Sequence, residues 1–531
     1  MSSLNGGMNG RIEDWHESSS NEESSFLSRV VQLLRSEGVL PGELESNENT
    51  INCPVVRFQH PAALEENLQL DIPDGGKGMS EERLLSKLSD IIKGSVKTSH
   101  PHFYNQLYGG LDPYGLAGAW ITEALNTNQY TFEVAPSFTL AEKAVLQKCL
   151  KLFNLPENGD GIFAPGGSMS NMYSMVLARH HACPEARAKG LQQCPPLVAF
   201  ASQDAHYSLR KGANWLGIGT DNIIGVPTDD EGKMIPTELE AAIRRVKQGS
   251  KHTNGCATVN GTHNGVGELC GKPFIVVATA GTTVLGSYDP LEEIADICQR
   301  YGIWFHVDAC WGGSLILSKK YRSLLHGIEK ADSVSWNPHK MLGAPLQCSV
   351  FLVRHQGLMH KCNSAAATYL FQQDKFYDAS YDTGDKSVQC GRKVDAFKLW
   401  TMWAARGDNG LSALVENAMD CSRYFLRLIT DRPGFRLVLP SFECTNICFW
   451  FIPPRLRGLE ETQEWWDDLE KVAPNLKKKM ILQGSLMIGY QPLSNKGLRN
   501  FFRLVVTCQP PPSPSHMEYV LHEIERLGKD L

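Results

Sequence analysis

Residues 274 to 307 read FIVVATAGTTVLGSYDPLEEIADICQRYGIWFHV, and the fold class follows from them. Phe274 to Ala278 is a continuous apolar run of the kind that a parallel sheet buries on both faces. In the DPLEEIADICQRYG that follows, Leu291, Ile294, Ala295 and Cys298 occupy the i, i+3, i+4 and i+7 positions of a core-facing helix. Ile303 to Val307 is a second apolar strand. Strand, helix and strand at this length make a βαβ unit, and the same alternation from about 160 to 350 predicts an α/β fold with a mostly parallel sheet covered on both faces. Ligands of such sheets bind beyond the carboxyl ends of the strands, so chemistry is expected in the residues just after them.

Outward from this core the text changes character. Residues 1–24 are rich in Ser, Asn, Gly and Glu and read as a disordered tail. Phe26 to Leu34 carries a helical apolar stripe, which faces either the core or a partner subunit; taken alone, core packing is expected. Residues 248–273, QGSKHTNGCATVNGTHNGVGELCGKP, are crowded with Gly, Asn and Thr and have no period; they read as a disordered surface insertion. Beyond about 410, GFRLVLPSFECTNICFWFIPP predicts a strand pair and HMEYVLHEIERLG a closing helix, in a smaller α+β unit. The expected organisation is therefore an N-terminal helical segment over 25–110, a large domain over 111–410 and a small C-terminal domain over 411–531.

Composition narrows the function classes. Of 531 residues, 52 are Lys or Arg and 58 Asp or Glu, and a net charge of −6 gives no electrostatic case for nucleic acid or an anionic membrane. No apolar run approaches a membrane span, and no apolar stretch follows a basic one at the start, so no signal peptide is expected. The 15 Cys form no CxxC pairs; reduced cytoplasmic thiols, with neither a zinc site nor disulfides, are expected.

Four features fall where this architecture puts active sites. Lys340 ends SVSWNPHK, just past an apolar strand. Asp308 ends IWFHV. The turn Ala164-Pro-Gly-Gly-Ser168 opens a helix, and a helix N-terminus offers free N–H groups and a positive dipole end to phosphate. His206 lies in DAHYSLRK. Singly, these read as a surface lysine, a helix cap, a tight turn and a core histidine. Together they supply an amine-reactive Lys, an acid, a phosphate cradle and an aromatic ring, which is what pyridoxal 5′-phosphate needs.

The sequence resembles the group II pyridoxal-phosphate decarboxylases, in the branch of glutamate, cysteine sulfinate and acidic amino acid decarboxylases. The resemblance rests on HPHFYNQL (100–107), LNTNQYTFEVAP (125–136), APGGSMSNMY (164–173), ATAGTT (278–283), HVDACWGG (306–313), NPHKMLG (337–343), YLFQQDKFYDASYDTGDKSVQCGR (369–392) and NFFR (500–503), in order over roughly 80–531. It implies fold type I, the aspartate aminotransferase-like fold, in a homodimer with active sites at the subunit interface. It also assigns roles. Lys340 would hold the cofactor, Asp308 would pair with its ring nitrogen and His206 would stack on its ring. Gly167 and Ser168 would bind phosphate, Thr282 or Thr283 would contact the cofactor beside Asp308, and Ser333 and His339 would flank the lysine. Cys310 stands where relatives have a small residue against the ring. Tyr369 matches the tyrosine that protonates Cα, on a loop that reaches the neighbouring subunit's site.

The resemblance also bears on the substrate. Arg503 lies in the otherwise apolar NFFRLVV, where an unpaired charge is costly. In the family this arginine binds the substrate's acid, and we expect the retained distal acid, because gripping the departing carboxylate would stabilise the ground state. Gln106, Leu107 and Tyr108 match the segment lining the substrate pocket. Glutamate decarboxylases carry a small Ser where this chain has Tyr108, so the expected substrates are the shorter aspartate and cysteine sulfinate, with cysteate beside them. The alternatives are a glutamate decarboxylase making GABA, or a catalytically weak relative acting as a binding or regulatory protein.

Overall fold

The computed structural model describes residues 25–40, 53–72, 76, 78–252 and 270–531. The strands among them are β1 Phe103–Tyr104, β2 Asp160–Ala164, β3 Leu197–Ser202, β4 Ile223–Val226, β5 Lys272–Thr279, β6 Trp304–Ala309, β7 Ser333–Trp336, β8 Ser349–Val353, β9 Phe435–Leu437, β10 Asn446–Phe451, β11 Met487–Leu493 and β12 Leu498–Val505. Seven form one sheet in the order β2-β8-β7-β6-β5-β3-β4, in which only β8 runs antiparallel to its neighbours. This is the mostly parallel α/β sheet expected, and the helix over Leu291–Tyr301 buries Leu291, Ile294, Ala295, Ile297 and Cys298 against it. Its register places Thr279, Asp308 and Ser335 side by side across β5, β6 and β7.

A second sheet, β1-β11-β12-β10-β9, contains the expected 435–451 strand pair, and helix Pro514–Gly528 closes the chain. Two details depart from the expected divisions. The N-terminal segment contributes β1, parallel to β11, to this C-terminal sheet. A helical run over Asp395–Ile429 crosses the boundary at 410, broken only at Gly407, whose φ of 63° leaves the helical region.

Other expectations need correction. The stripe at 26–34 does form a helix, Phe26–Ser36, capped by Ser25, but none of its residues is fully buried and Leu27 is exposed. It lies on the surface, where Arg29 pairs with Glu81 and Glu82. The expected tail, 1–24, lies outside the described residues, as do 253–269 of the expected insertion. The margins of that insertion are regular. Helix Pro236–His252 runs into it, driven by buried Leu239, Ala242, Ile243 and Val246, and β5 starts at Lys272. Finally, Cys183 and Cys194 form a disulfide. Cys183 ends the helix Gly167–Ala182, and the short turn after it brings the two Cα atoms to 6.2 Å, a proximity that spacing along the chain does not reveal.

Candidate active site

The carboxyl ends of β5, β6 and β7 open into a cavity of about 220 Å³. Lys340, Asp308, His206, Gly167, Ser168, Thr283 and His339 line it, drawn from elements far apart in the chain, and Asn171, Thr279, Cys310 and Asn337 join them.

Asp308, near the end of β6, is buried. Burial alone would push its carboxyl up, but Lys340, His206 and hydrogen bonds from Asn171 Nδ2 (2.8 Å) and the Cys310 side chain outweigh it and hold the group below the usual carboxylate range, and the Cys310 N–H donates to it at 3.1 Å. It is an anion at neutral pH. Lys340 follows β7, and its Nζ makes no hydrogen bond or ion pair among the described residues. His206 is half-buried, with Nδ1 2.9 Å from Ser208 Oγ. Burial, outweighing Asp308, holds it below the ordinary histidine range, so the cavity wall carries a neutral ring. His339 is pushed down to about 4, again by burial, with Nδ1 against the Cys348 carbonyl at 2.6 Å.

The helix Gly167–Ala182 starts at the cavity. Its N-cap, Gly166, has φ 92° and no side chain caps it, which leaves the first-turn N–H groups of Gly167 and Ser168 to an incoming anion. A Cβ on Gly167 would lie 2.5 Å from Cys310 Sγ and 2.7 Å from Asn337 Nδ2, so only glycine permits this close approach. Thr279 Oγ1 is buried with no hydrogen-bond partner among the described residues. A free amine, a buried anion, an uncapped helix start and an orphaned hydroxyl in one cavity fit pyridoxal 5′-phosphate.

Several expected residues lie elsewhere. Thr282 is buried, but its Oγ1 accepts the Ser287 N–H at 3.1 Å and shapes the turn after β5. Ser333 opens β7, at the amino end of the strand and away from the ligand-binding edge; there it accepts Trp304 Nε1 at 2.9 Å and meets His306 Nδ1 at 2.9 Å. Tyr369 is 78% exposed and off the cavity wall.

Arg503, on β12, is buried beside the cavity. Its Nη1 donates to the carbonyl of cavity-lining Thr283 at 2.8 Å, its Nε has no partner and no carboxylate pairs with it among the described residues. Gln106, Leu107 and Tyr108, expected in the substrate pocket, are not among the residues lining the cavity; the chain is anchored on either side of them. On one side, a Cβ on Gly489 would lie 3.0 Å from the Asn105 carbonyl and 3.7 Å from Arg503 Nη2. On the other, the Asp112 N–H bonds the Gly343 carbonyl at 2.9 Å, just past Lys340.

Asn171, Thr279 and Asn337 were not singled out from sequence, although two of them leave a signal there. Thr279 ends FIVVAT as Asp308 ends IWFHV, and Asn171 is one helical turn beyond Gly167, on the same face.

Comparison with known proteins agrees with this geometry. Residues 61–452 match the pyridoxal-dependent decarboxylase conserved domain. The chain is 49% identical over 525 residues to acidic amino acid decarboxylase GADL1 of Xenopus tropicalis, covering 99% of this chain and 95% of the relative. It is 48% identical over 509 residues to human cysteine sulfinic acid decarboxylase, covering 94% and 97%. The crystal structure of mouse CSAD superposes with a TM-score of 0.87 at 45% identity, over 95% of this chain and 98% of that one. The chain therefore belongs to the pyridoxal-dependent decarboxylases, fold type I carboxy-lyases that work with pyridoxal 5′-phosphate.

Proposed function

We propose that this decarboxylase acts on small acidic amino acids, converting L-aspartate to β-alanine and L-cysteine sulfinate to hypotaurine, with cysteate to taurine as a further reaction. The observation that carries this reading is Arg503: a buried guanidinium beside the cavity, with an unused Nε and, among the described residues, no carboxylate to neutralise it. A distal carboxylate or sulfinate matches its planar fork. The relatives' names, an acidic amino acid decarboxylase and a cysteine sulfinic acid decarboxylase, support the same substrate class. Tyr108, half-buried with its ring 6.1 Å from that of Phe103, is the residue that in this reading would shorten the room for a longer substrate.

In this reading Lys340 Nζ, which has no hydrogen-bond partner among the described residues, would hold the cofactor. Gly167 and Ser168 take the phosphate, His206 covers the ring, and Thr279, Thr283 and His339 complete the wall. The bound cofactor supplies a sink for the electrons left at Cα when CO₂ departs. Asp308 holds the proton on the ring nitrogen that makes the sink effective. Arg503 keeps the distal acid fixed, so the α-carboxylate is the group that leaves. Tyr369 then delivers its Oη proton to Cα. Because Tyr369 is exposed in the single chain, we place it over the site of a second copy in a homodimer. Tyr114, Trp120, Ile121 and Leu125, exposed along one helix, offer apolar surface for that contact. No helix among the described residues is long and apolar enough to cross a membrane. We place the enzyme in the cytoplasm, in keeping with the twelve cysteine thiols among the described residues.

Competition decides the substrate. Holoenzyme incubated with aspartate, cysteine sulfinate and glutamate together should yield β-alanine and hypotaurine well ahead of GABA. Glutamate outpacing both shorter acids would overturn the pocket-length argument, and no product from any would overturn the enzymatic reading.

A further inference from the structure

Behind Asp308 lies a run of buried polar side chains that the reaction as described does not use. Trp304 Nε1 donates to Ser333 Oγ at 2.9 Å. Ser333 Oγ is 2.9 Å from His306 Nδ1, His306 Nε2 is 3.1 Å from Asn171 Oδ1, and Asn171 Nδ2 is 2.8 Å from Asp308 Oδ2. Every one of these residues is buried.

Hydrogen-bond polarity fixes the direction of the run. Asp308 is an acceptor only, so Asn171 must turn its NH₂ toward it and its carbonyl toward His306. That carbonyl needs a donor, so Nε2 of His306 carries the ring proton. Nδ1 is then a lone pair that the Ser333 hydroxyl fills while its oxygen accepts from Trp304. The other tautomer would bond Nδ1–H to the Ser333 carbonyl at 3.1 Å, but it would set the bare Nε2 against the Asn171 carbonyl, two acceptors 3.1 Å apart. Burial pushes His306 down to about 4, which keeps the ring neutral and a single-proton donor on this side. Ser335 Oγ, 3.3 Å from Nε2, accepts from the same N–H. Asn171 has a second branch: its Nδ2 also reaches Ser208 Oγ at 3.1 Å, and that hydroxyl meets His206 Nδ1.

We propose that Asn171 and His306 are positioning residues: a one-way chain of donors, Trp304 to Ser333 to His306 to Asn171, ends on Asp308 and holds it ionised and aimed at the cofactor's ring nitrogen. Each donor polarises the next, and in a dry interior such a chain stabilises an anion at its end more than an isolated amide does. With Oδ2 taken by Asn171 and Oδ1 by the Cys310 N–H, the carboxylate cannot rotate away. The inference rests on the cofactor placement proposed above.

The test uses holoenzyme reconstituted with pyridoxal 5′-phosphate labelled with ¹⁵N in the ring, reading the protonation of that nitrogen by NMR and the cofactor dissociation constant by fluorescence. Asn171→Leu and His306→Leu should each shift the ring nitrogen toward its unprotonated resonance and weaken cofactor binding about tenfold or more, the scale of a lost hydrogen bond to a charged group. His306→Gln, which restores an N–H donor toward Asn171, should recover most of both. Ring-nitrogen resonances unchanged from wild type in both leucine variants would overturn the inference. A measurement that needs no altered fold stands beside it: in wild-type enzyme with ¹⁵N-labelled histidine, assigned against His306→Gln, His306 should be the neutral Nε2–H tautomer, and an Nδ1–H tautomer would sink the donor chain. A failure of the cofactor placement itself looks different, because wild-type enzyme would then retain no label at Lys340.

Discussion

Asp308 and Tyr369, assigned to successive steps of one reaction, sit in opposite surroundings. Asp308 lies on the central strand of a buried sheet, with both oxygens taken by N–H groups of a helix and a strand end. Tyr369 is 78% exposed, on a loop that is tied down on either side of it. On one side, Asp385 accepts the Ser364 hydroxyl and the N–H groups of Ala365 (2.9 Å) and Ala366 (3.3 Å). On the other, Lys375 and Asp382 form a buried pair at 2.7 Å that Tyr377 joins. On the reading proposed above, the electrostatic part of the site is drawn from one chain, while the proton donor would depend on a contact with a second copy. Preorganised charge needs rigidity, and a group that must admit substrate and then exclude water needs the reverse.

The largest effect should come from the rigid side. Lys340→Ala should abolish the visible absorbance of the bound cofactor and lower product formation by about 10⁴-fold or more, as removal of a covalent anchor does. Retention of the absorbance in this variant would mean that the amine lies elsewhere. Tyr369→Phe should separate the two regions: cofactor spectrum and affinity as in wild type, with turnover lower by about 10²- to 10³-fold, the range of general-acid catalysis. If affinity fell along with turnover, the loop and the floor would not be independent. A smaller change is expected at Tyr108→Ser. Room for one more methylene is worth about tenfold, so the ratio of glutamate to aspartate kcat/KM should rise by about that factor. An unchanged ratio would remove Tyr108 from the specificity argument.

This division also explains what could be read in the text of the chain. The strand ends holding Asp308 and Lys340, and the glycine turn at 166–168, are local: apolar runs stop at a polar residue, and the fold's own rule says that ligands gather there. Ser333 defeats that reading because it opens its strand instead of ending it, and only the register of β6 and β7 shows it facing His306. Asn171 and Thr279 carry weak signals, since an asparagine in a helix and a threonine at a strand end are common and gain meaning only from the buried carboxylate between them. The pairing of β1 with β11, which brings Asn105 beside Gly489, joins segments hundreds of residues apart that share no local pattern. The Cys183–Cys194 bond depends in the same way on a turn that composition does not describe.

The smallest expected effect tests whether the loop's end-clamps matter to chemistry. Burial would raise the carboxyl of Asp385, but the Ser364 hydroxyl, the Ala365 and Ala366 N–H groups and His360 outweigh it and keep the group below the usual carboxylate range. A carboxyl lowered by native contacts stabilises those contacts above its unfolded value and loses them as pH falls through its native one, so the clamp is intact across neutral pH. Asp385→Asn keeps one acceptor but turns an NH₂ toward donors, and the loop's entry should loosen. Turnover should fall about threefold, a loss near the lower end of what a single hydrogen bond contributes, with the cofactor dissociation constant unchanged. Measured on holoenzyme at pH 7, that split would confine the effect to the protonation step. A weakened cofactor with normal turnover would instead tie residues 364–385 to the floor of the cavity and erase the distinction between the two regions.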